Sequence, residues 1–147
     1  MIRMEDASWG IRIEMNAPPN RMEISKMLDD LRKTLPSARP FFGAILDMSA
    51  VSGPINPELR DLLLHTERLL QSRGMVRLAA CMSNGLAASQ IRRLSLESGV
   101  APGLRCIDTR QNGWKLAAEH WAVSGHEPEE FLSGPNSSIG GPPSSIP

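Results

Sequence analysis

The chain has only two cysteines, Cys81 and Cys106, and they lie 25 residues apart without a Cys-x-x-Cys pair. None of the three histidines has a cysteine or a second histidine at ligand spacing. Structural zinc sites and dithiol redox centres are built from such closely spaced ligands. The sequence therefore predicts no metal site and no cofactor, and the two cysteines are interpreted as small buried hydrophobic residues.

An excess of charge is also lacking, because 16 basic side chains balance 16 acidic ones. Without a positive field, the chain has no long-range attraction for a phosphate backbone. Arginine supplies 13 of the 16 basic residues, but no aromatic residue lies among them to stack on a base. We therefore predict that nucleic acid is not a partner.

Long hydrophobic runs are missing as well. No stretch approaches the roughly 18 consecutive apolar residues of a membrane span. The first ten residues, MIRMEDASWG, lack the apolar core of a signal peptide. We expect a cytoplasmic protein with no membrane span, and 147 residues is the length of one ordinary domain.

Short apolar runs alternate with longer stretches of helical period, which is typical of parallel strands covered by helices. Strands are predicted at residues 8–16, 41–48, 75–82 and 104–109. The first alternates apolar and polar residues and is interpreted as an edge strand. Residues 41–48 form a continuous apolar run closing on Asp47 and are interpreted as a central strand. The predicted fold class is α/β, with a mainly parallel sheet of four to five strands and helices packed on it.

Asn20 and Asn56 are predicted to cap the first two helices, the second of which has Pro57 at its first position. The third helix is predicted over residues 86–98, and a last helix follows Gly113. From residue 125 the composition changes to proline, glycine, serine and glutamate. Residues 1–124 are therefore predicted to form the α/β domain, and residues 125–147 a flexible tail.

Polar residues follow the predicted parallel strands, where loops and helix N-termini meet at the carboxyl edge of such a sheet. These residues form the candidate binding site: Asp47, Ser49, Ser52, Asn56, Ser83 and Asn84. Asp108, Thr109 and Arg110 follow the last predicted strand at the same edge. Asp47 and Asp108 are interpreted as carboxylates of turns and caps.

Catalytic motifs are not found among these residues. No histidine falls in the loops to activate a serine, and neither GxxxxGK[ST] nor GxGxxG occurs. Residues 16–19 (NAPP), after the first predicted strand, lack the carboxylates with which a phospho-receiver holds Mg²⁺. The sequence therefore predicts a protein that is not an enzyme.

Two segments resemble a known family. Residues 42–51 (FGAILDMSAV) resemble the central strand and following loop of STAS domains, the anti-sigma-factor-antagonist fold. Residues 83–100 (SNGLAASQIRRLSLESGV) are similar to the next strand-to-helix passage of that family. The resemblance covers about residues 41–109 and is to the divergent, SpoIIAA-like members. It implies a STAS-like regulatory module that binds a protein partner through its strand-end loops.

The family often carries Asp-Ser-Ser/Thr-Gly after this loop, and a partner kinase phosphorylates the hydroxyl. Here the chain continues Ser52-Gly53-Pro54, so glycine or proline takes the acceptor position. We therefore predict no phospho-switch at this loop. Three alternatives stay open: a carrier or sensor of a small apolar or anionic ligand, suggested by the superfamily and by eight methionines; an uncharacterised enzyme; and, for assembly, a homodimer.

Overall fold

The computed structural model describes residues 2–16, 18–35 and 41–133. Its strands and helices, in chain order, are β1 (Ile2–Ala7), β2 (Gly10–Met15), α1 (Arg21–Thr34), β3 (Phe42–Asp47), α2 (Pro57–Ser72), β4 (Met75–Met82), α3 (Gly85–Ser98), β5 (Leu104–Asp108) and α4 (Trp114–Ser124). Single 3-10 turns occur at Ala101–Gly103 and Pro128–Glu130. None of the helices in these ranges is long and apolar enough to cross a membrane.

The five strands form one sheet in the order β1-β2-β3-β4-β5. Strands β2 to β5 run parallel, and β1 pairs with β2 in the antiparallel sense. The predicted α/β class is confirmed, and the five strands lie within the predicted four to five. The sheet is mixed, because β1 and β2 form an antiparallel hairpin.

The prediction of an edge strand at residues 8–16 was wrong. This segment forms β2, which lies second in the sheet, and β1 lies outside it at the edge. Ile11, Ile13 and Met15 are buried under helices, whereas Arg12 and Glu14 are only half-buried on the opposite face. The alternation of apolar and polar residues therefore reflects an inner strand that is buried on one face and only partly covered on the other.

Two apolar layers cover the sheet unequally. The larger layer packs α1, α2 and α3 on the face that carries Ile13, Ala44 and Leu46. The smaller layer packs α4, together with Trp9, Phe131 and Leu132, on the other face, where Ile45 is completely buried. Strand β3 lies between both layers, and all six of its residues are buried, as its apolar run predicted.

Side-chain caps set the helix starts. Asn20 and Glu23 form a reciprocal capping box on α1, and Asn56 accepts a hydrogen bond from Leu59 N at 2.8 Å before Pro57. Both caps were predicted. Helix α3 begins one residue earlier than predicted, because Asn84 accepts from Ala87 N and so caps Gly85.

The segment predicted as a tail begins with residues that contact α4. The Phe131 ring stacks on His120 with 4.0 Å between centroids, and Asn112 and Ser133 exchange backbone hydrogen bonds. Arg105 forms a paired contact with Glu127, at 2.8 and 3.0 Å. Residues 134–147 of that segment lie outside the described residues.

Candidate functional site

The carboxyl ends of β3, β4 and β5 lie side by side, because the three strands are parallel and in register. Asp47 pairs with Cys81, and Met82 pairs with Asp108. Asp47 is the last residue of β3, and the other five predicted site residues follow β3 or β4 at this edge.

Asp47 is buried, with 6% of its surface exposed, and its carboxylate accepts a hydrogen bond from Ser49 N at 2.9 Å. This local bond closes an Asx turn directly after β3. Asp47 therefore shapes the loop, whereas the Ser49 side chain faces solvent.

Residues 48–56 form a loop fixed from several sides, which we call the β3–α2 loop. Val51 and Ile55 are buried beneath it, and Gln90 of α3 both donates to Ile55 O at 2.8 Å and accepts from Ile55 N at 2.7 Å. Asn56 closes the loop as the cap of α2. Ser52 lies exposed on this anchored backbone.

A pocket of about 170 Å³ opens between the start of α3 and the end of β5. Its lining consists of Met82, Ser83, Asn84, Gly85, Ala88, Arg92, Cys106, Ile107, Asp108 and Arg110. The lining combines apolar side chains with polar groups and with charged groups of both signs, Arg92, Arg110 and Asp108. It is smaller than the roughly 300 Å³ at which drug-sized ligand sites begin, so it suits a small ligand or a single side chain.

The charged groups of the pocket differ in how they are paired. Arg110 binds the Asp108 carboxylate through Nε at 3.0 Å and Nη2 at 2.9 Å. These hydrogen bonds lower the pKa of Asp108 below its ordinary value, and they keep the carboxylate ionised. Arg92 is exposed, lines the same pocket, and forms no ion pair with any other residue in the described ranges.

The two thiols are poor nucleophiles. Burial raises the pKa of Cys106, whose Sγ lies 3.9 Å from Ala88 O in the pocket floor. Burial also raises the pKa of Cys81, which lies within β4 with no exposed surface. Because the thiolate is the reactive form, both groups act as small apolar side chains.

The structure separates the six predicted residues into two neighbouring groups. Ser83 and Asn84 line the pocket, whereas the other four belong to the β3–α2 loop and its ends. Gln90, which anchors the loop, was missed, because a polar residue on a helix carries no sequence signal of a contact 35 residues away. Across residues 2–16, 18–35 and 41–133, no three His, Cys, Asp or Glu side chains converge as metal ligands.

No family model matches the chain, and neither a curated protein nor a solved structure matches it significantly.

Proposed function

We propose that this chain is a STAS-like regulatory module that binds a protein partner through the β3–α2 loop and the adjoining start of α2. The observation that carries the proposal is the loop itself, which is rigidly anchored and yet presents Ser49 and Ser52 to solvent. A loop held in one conformation loses little entropy when a partner binds, which favours recognition.

The pairing of polar groups at the carboxyl edge supports binding over catalysis. Asp47 and Asn56 accept hydrogen bonds from loop and helix N–H groups, and Asp108 is neutralised by Arg110. A general base needs a group whose proton affinity is tuned near neutrality and directed at a substrate. These carboxylates instead hold the loops.

The test places a bulky charge on the exposed part of the loop. Ser49→Arg and Ser52→Arg change solvent-facing side chains, and Ser72→Arg introduces the same charge at the far end of α2 as the matched control. Tagged variants recover partners from a native lysate, and quantitative mass spectrometry compares the yields. We expect one partner to be lost with the loop variants and kept with the control, and equal recovery with all three would refute the proposal.

Phosphorylation is not the expected switch of this module. Gly53 adopts φ +81°, a conformation that other residues rarely take, and Pro54 has no N–H to offer a phosphate. We expect Ser49→Asp and Ser52→Asp each to leave the affinity for the recovered partner within about threefold. A stoichiometric phosphate on either serine in protein from its native cell would contradict this expectation.

A carrier or sensor of a small anion is the second candidate, and Arg92, which lines the pocket and has no ion-pair partner among the described residues, favours it. Native mass spectrometry of the purified protein tests it, with Arg92→Ala as the variant. Arg93→Ala is the control, because that neighbouring arginine does not line the pocket. A retained small molecule that is lost only from Arg92→Ala supports the carrier, and a mass without additions in all three proteins argues against it.

A further inference from the structure

The outer edge of β1 has the features of a pairing surface. Strand β1 ends the sheet, and no other strand in the described residues pairs with its outer side. Its six residues, IRMEDA, contain no proline or lysine, and they pair with β2 in a continuous register without a bulge. Proline, lysine and bulges are among the devices that protect edge strands from pairing with another chain, and charged side chains are a further one. Strand β1 does carry charges, at Arg3, Glu5 and Asp6, so only a partner strand with complementary charges can pair with it.

The hydrogen-bond pattern shows which residues of β1 direct their backbone groups outward. Gly43 N donates to Trp9 O at 3.2 Å where β2 meets β3, so residues 11, 13 and 15 of β2 bond to β3. Residues 10, 12 and 14 therefore bond to β1, at residues 7, 5 and 3. Met4, in the middle of β1, consequently directs its N–H and C=O away from the sheet.

We propose that β1 pairs with β1 of a second copy of this chain, antiparallel and centred on Met4, to form one continuous ten-stranded sheet. The charges of the strand select this register. Centring the pair on Arg3 would set Arg3 against Arg3, and centring it on Glu5 would set Glu5 against Glu5. Centring on Met4 sets Arg3 opposite Glu5 of the other copy, twice by symmetry.

The side chains on both faces fit this arrangement. Arg3 lies 3.5 Å from Glu14, and Arg12 lies 3.8 Å from Glu5, so charges already alternate between β1 and β2. In the proposed dimer, basic and acidic side chains would alternate across four strands, which are β2 and β1 of each copy. The Arg3 and Glu5 side chains remain 74% and 69% exposed, so both can contact the second copy.

On the opposite face, Ile2 and Met4 are half-buried beside α1. They border a groove of about 350 Å³ whose other walls are Glu23, Lys26, Met27 and Asp30. Paired strands lie about 4.8 Å apart, so Met4 of the second copy would lie against this groove and cover its apolar part. The inference does not rest on the proposed function, because the β3–α2 loop and the pocket lie at the carboxyl ends of β3, β4 and β5, and none of these strands is the outer strand β1.

The test uses charge reversal in the full 147-residue chain, with any purification tag at its C-terminal end. Sedimentation velocity is expected to find wild type with twice the 16.1 kDa chain mass. Arg3→Glu sets glutamate against Glu5, and Glu5→Arg sets arginine against Arg3. Each variant alone is expected to raise the dimer dissociation constant at least tenfold.

Mixing the two variants is the decisive step. In a mixed dimer, Glu at position 3 of one chain meets Arg at position 5 of the other, and Glu5 meets Arg3. An equimolar mixture is therefore expected to dimerise more tightly than either variant alone, although each variant still loses its contact with Glu14 or Arg12 of its own chain. A folding defect cannot be repaired by mixing, which separates loss of the interface from loss of the fold. A monomeric wild type, single variants that dimerise normally, or a mixture that stays monomeric would each overturn the proposal.

Discussion

Ser98 Oγ lies 2.8 Å from Oε1 of Glu67, in the interior where α2 packs against α3. Ser95 Oγ contacts the same carboxyl at 2.9 and 3.0 Å, and only 3% of Glu67 is exposed. Two hydroxyl groups do not replace the water that a carboxylate loses on burial. Burial consequently raises the pKa of Glu67 from 4.5 to about 7, and the hydroxyls oppose this shift only in part.

Glu67 should make the stability of the protein depend on pH. Its folded-state pKa lies above its unfolded value, so the folded protein binds the proton more tightly. This contribution is fully present below pH 4.5 and is lost as the pH rises through 7. We expect the free energy of unfolding to fall by up to about 3 kcal/mol across this window.

Urea unfolding of wild type and Glu67→Gln at several pH values measures this effect. The glutamine variant keeps the shape of the side chain and has no proton to release. Between pH 5 and 8, its free energy of unfolding should therefore fall by up to about 3 kcal/mol less than that of wild type. Parallel pH profiles for the two proteins would show that Glu67 does not titrate in this range.

Gly43 should tolerate no side chain. A Cβ atom at this position of β3 would lie 2.0 Å from the backbone oxygen of Ala122 in α4. The backbone of α4 is packed against the sheet, so it cannot move away without a loss of stability. We expect Gly43→Ala to cost about 3 kcal/mol of stability. Gly85→Ala is the control, because no atom lies within 4 Å of its added Cβ, and its stability should stay within about 0.5 kcal/mol of wild type.

Asn56 should contribute to stability as a cap, apart from any role in binding. Asn56→Ala removes the acceptor of Leu59 N at 2.8 Å and should cost about 1 kcal/mol in thermal or urea unfolding. Asn56→Asp keeps an acceptor at the same place and should remain close to wild type. An alanine variant as stable as the aspartate variant would mean that water replaces the cap.

The contact between Arg105 and Glu127 should hold the segment after α4. Arg105 also lies over the Trp121 ring at 4.0 Å, so Arg105→Met removes the ion pair and retains an apolar side chain over the ring. We expect the amide of Ser133, which donates to Asn112 O, to exchange its hydrogen about threefold faster. Arg110→Met, whose partner Asp108 lies two residues away, is the control and should leave that amide unchanged.

The elements predicted best from sequence are those with strong local signals. The segment from β3 through α3 combines a strand that is apolar up to Asp47, Pro57 after a capping asparagine, and Gly99 at φ +89° after α3. Strand β1 was missed because Ser8-Trp9, which links it to β2, is not one of the glycine-containing pairs that mark two-residue hairpins.

The candidate site was predictable only as a location. Parallel strands must end at a common edge, so the positions of Asp47 and Ser83 followed from the strand pattern. The burial of Asp47 and the pocket beside Arg92 depend on how α3 packs against β5, which involves residues far apart in the chain. Local patterns contain no information on such contacts.

The two hydrogen bonds between Gln90 and Ile55 couple two parts of the carboxyl edge of the sheet. They join α3, which forms one wall of the pocket, to the β3–α2 loop. A displacement of α3 would therefore act on the backbone of Ile55 through these two bonds. If occupancy of the pocket changes the affinity of the loop for a partner by some factor, the partner must change the affinity of the pocket by the same factor, because thermodynamic linkage is reciprocal.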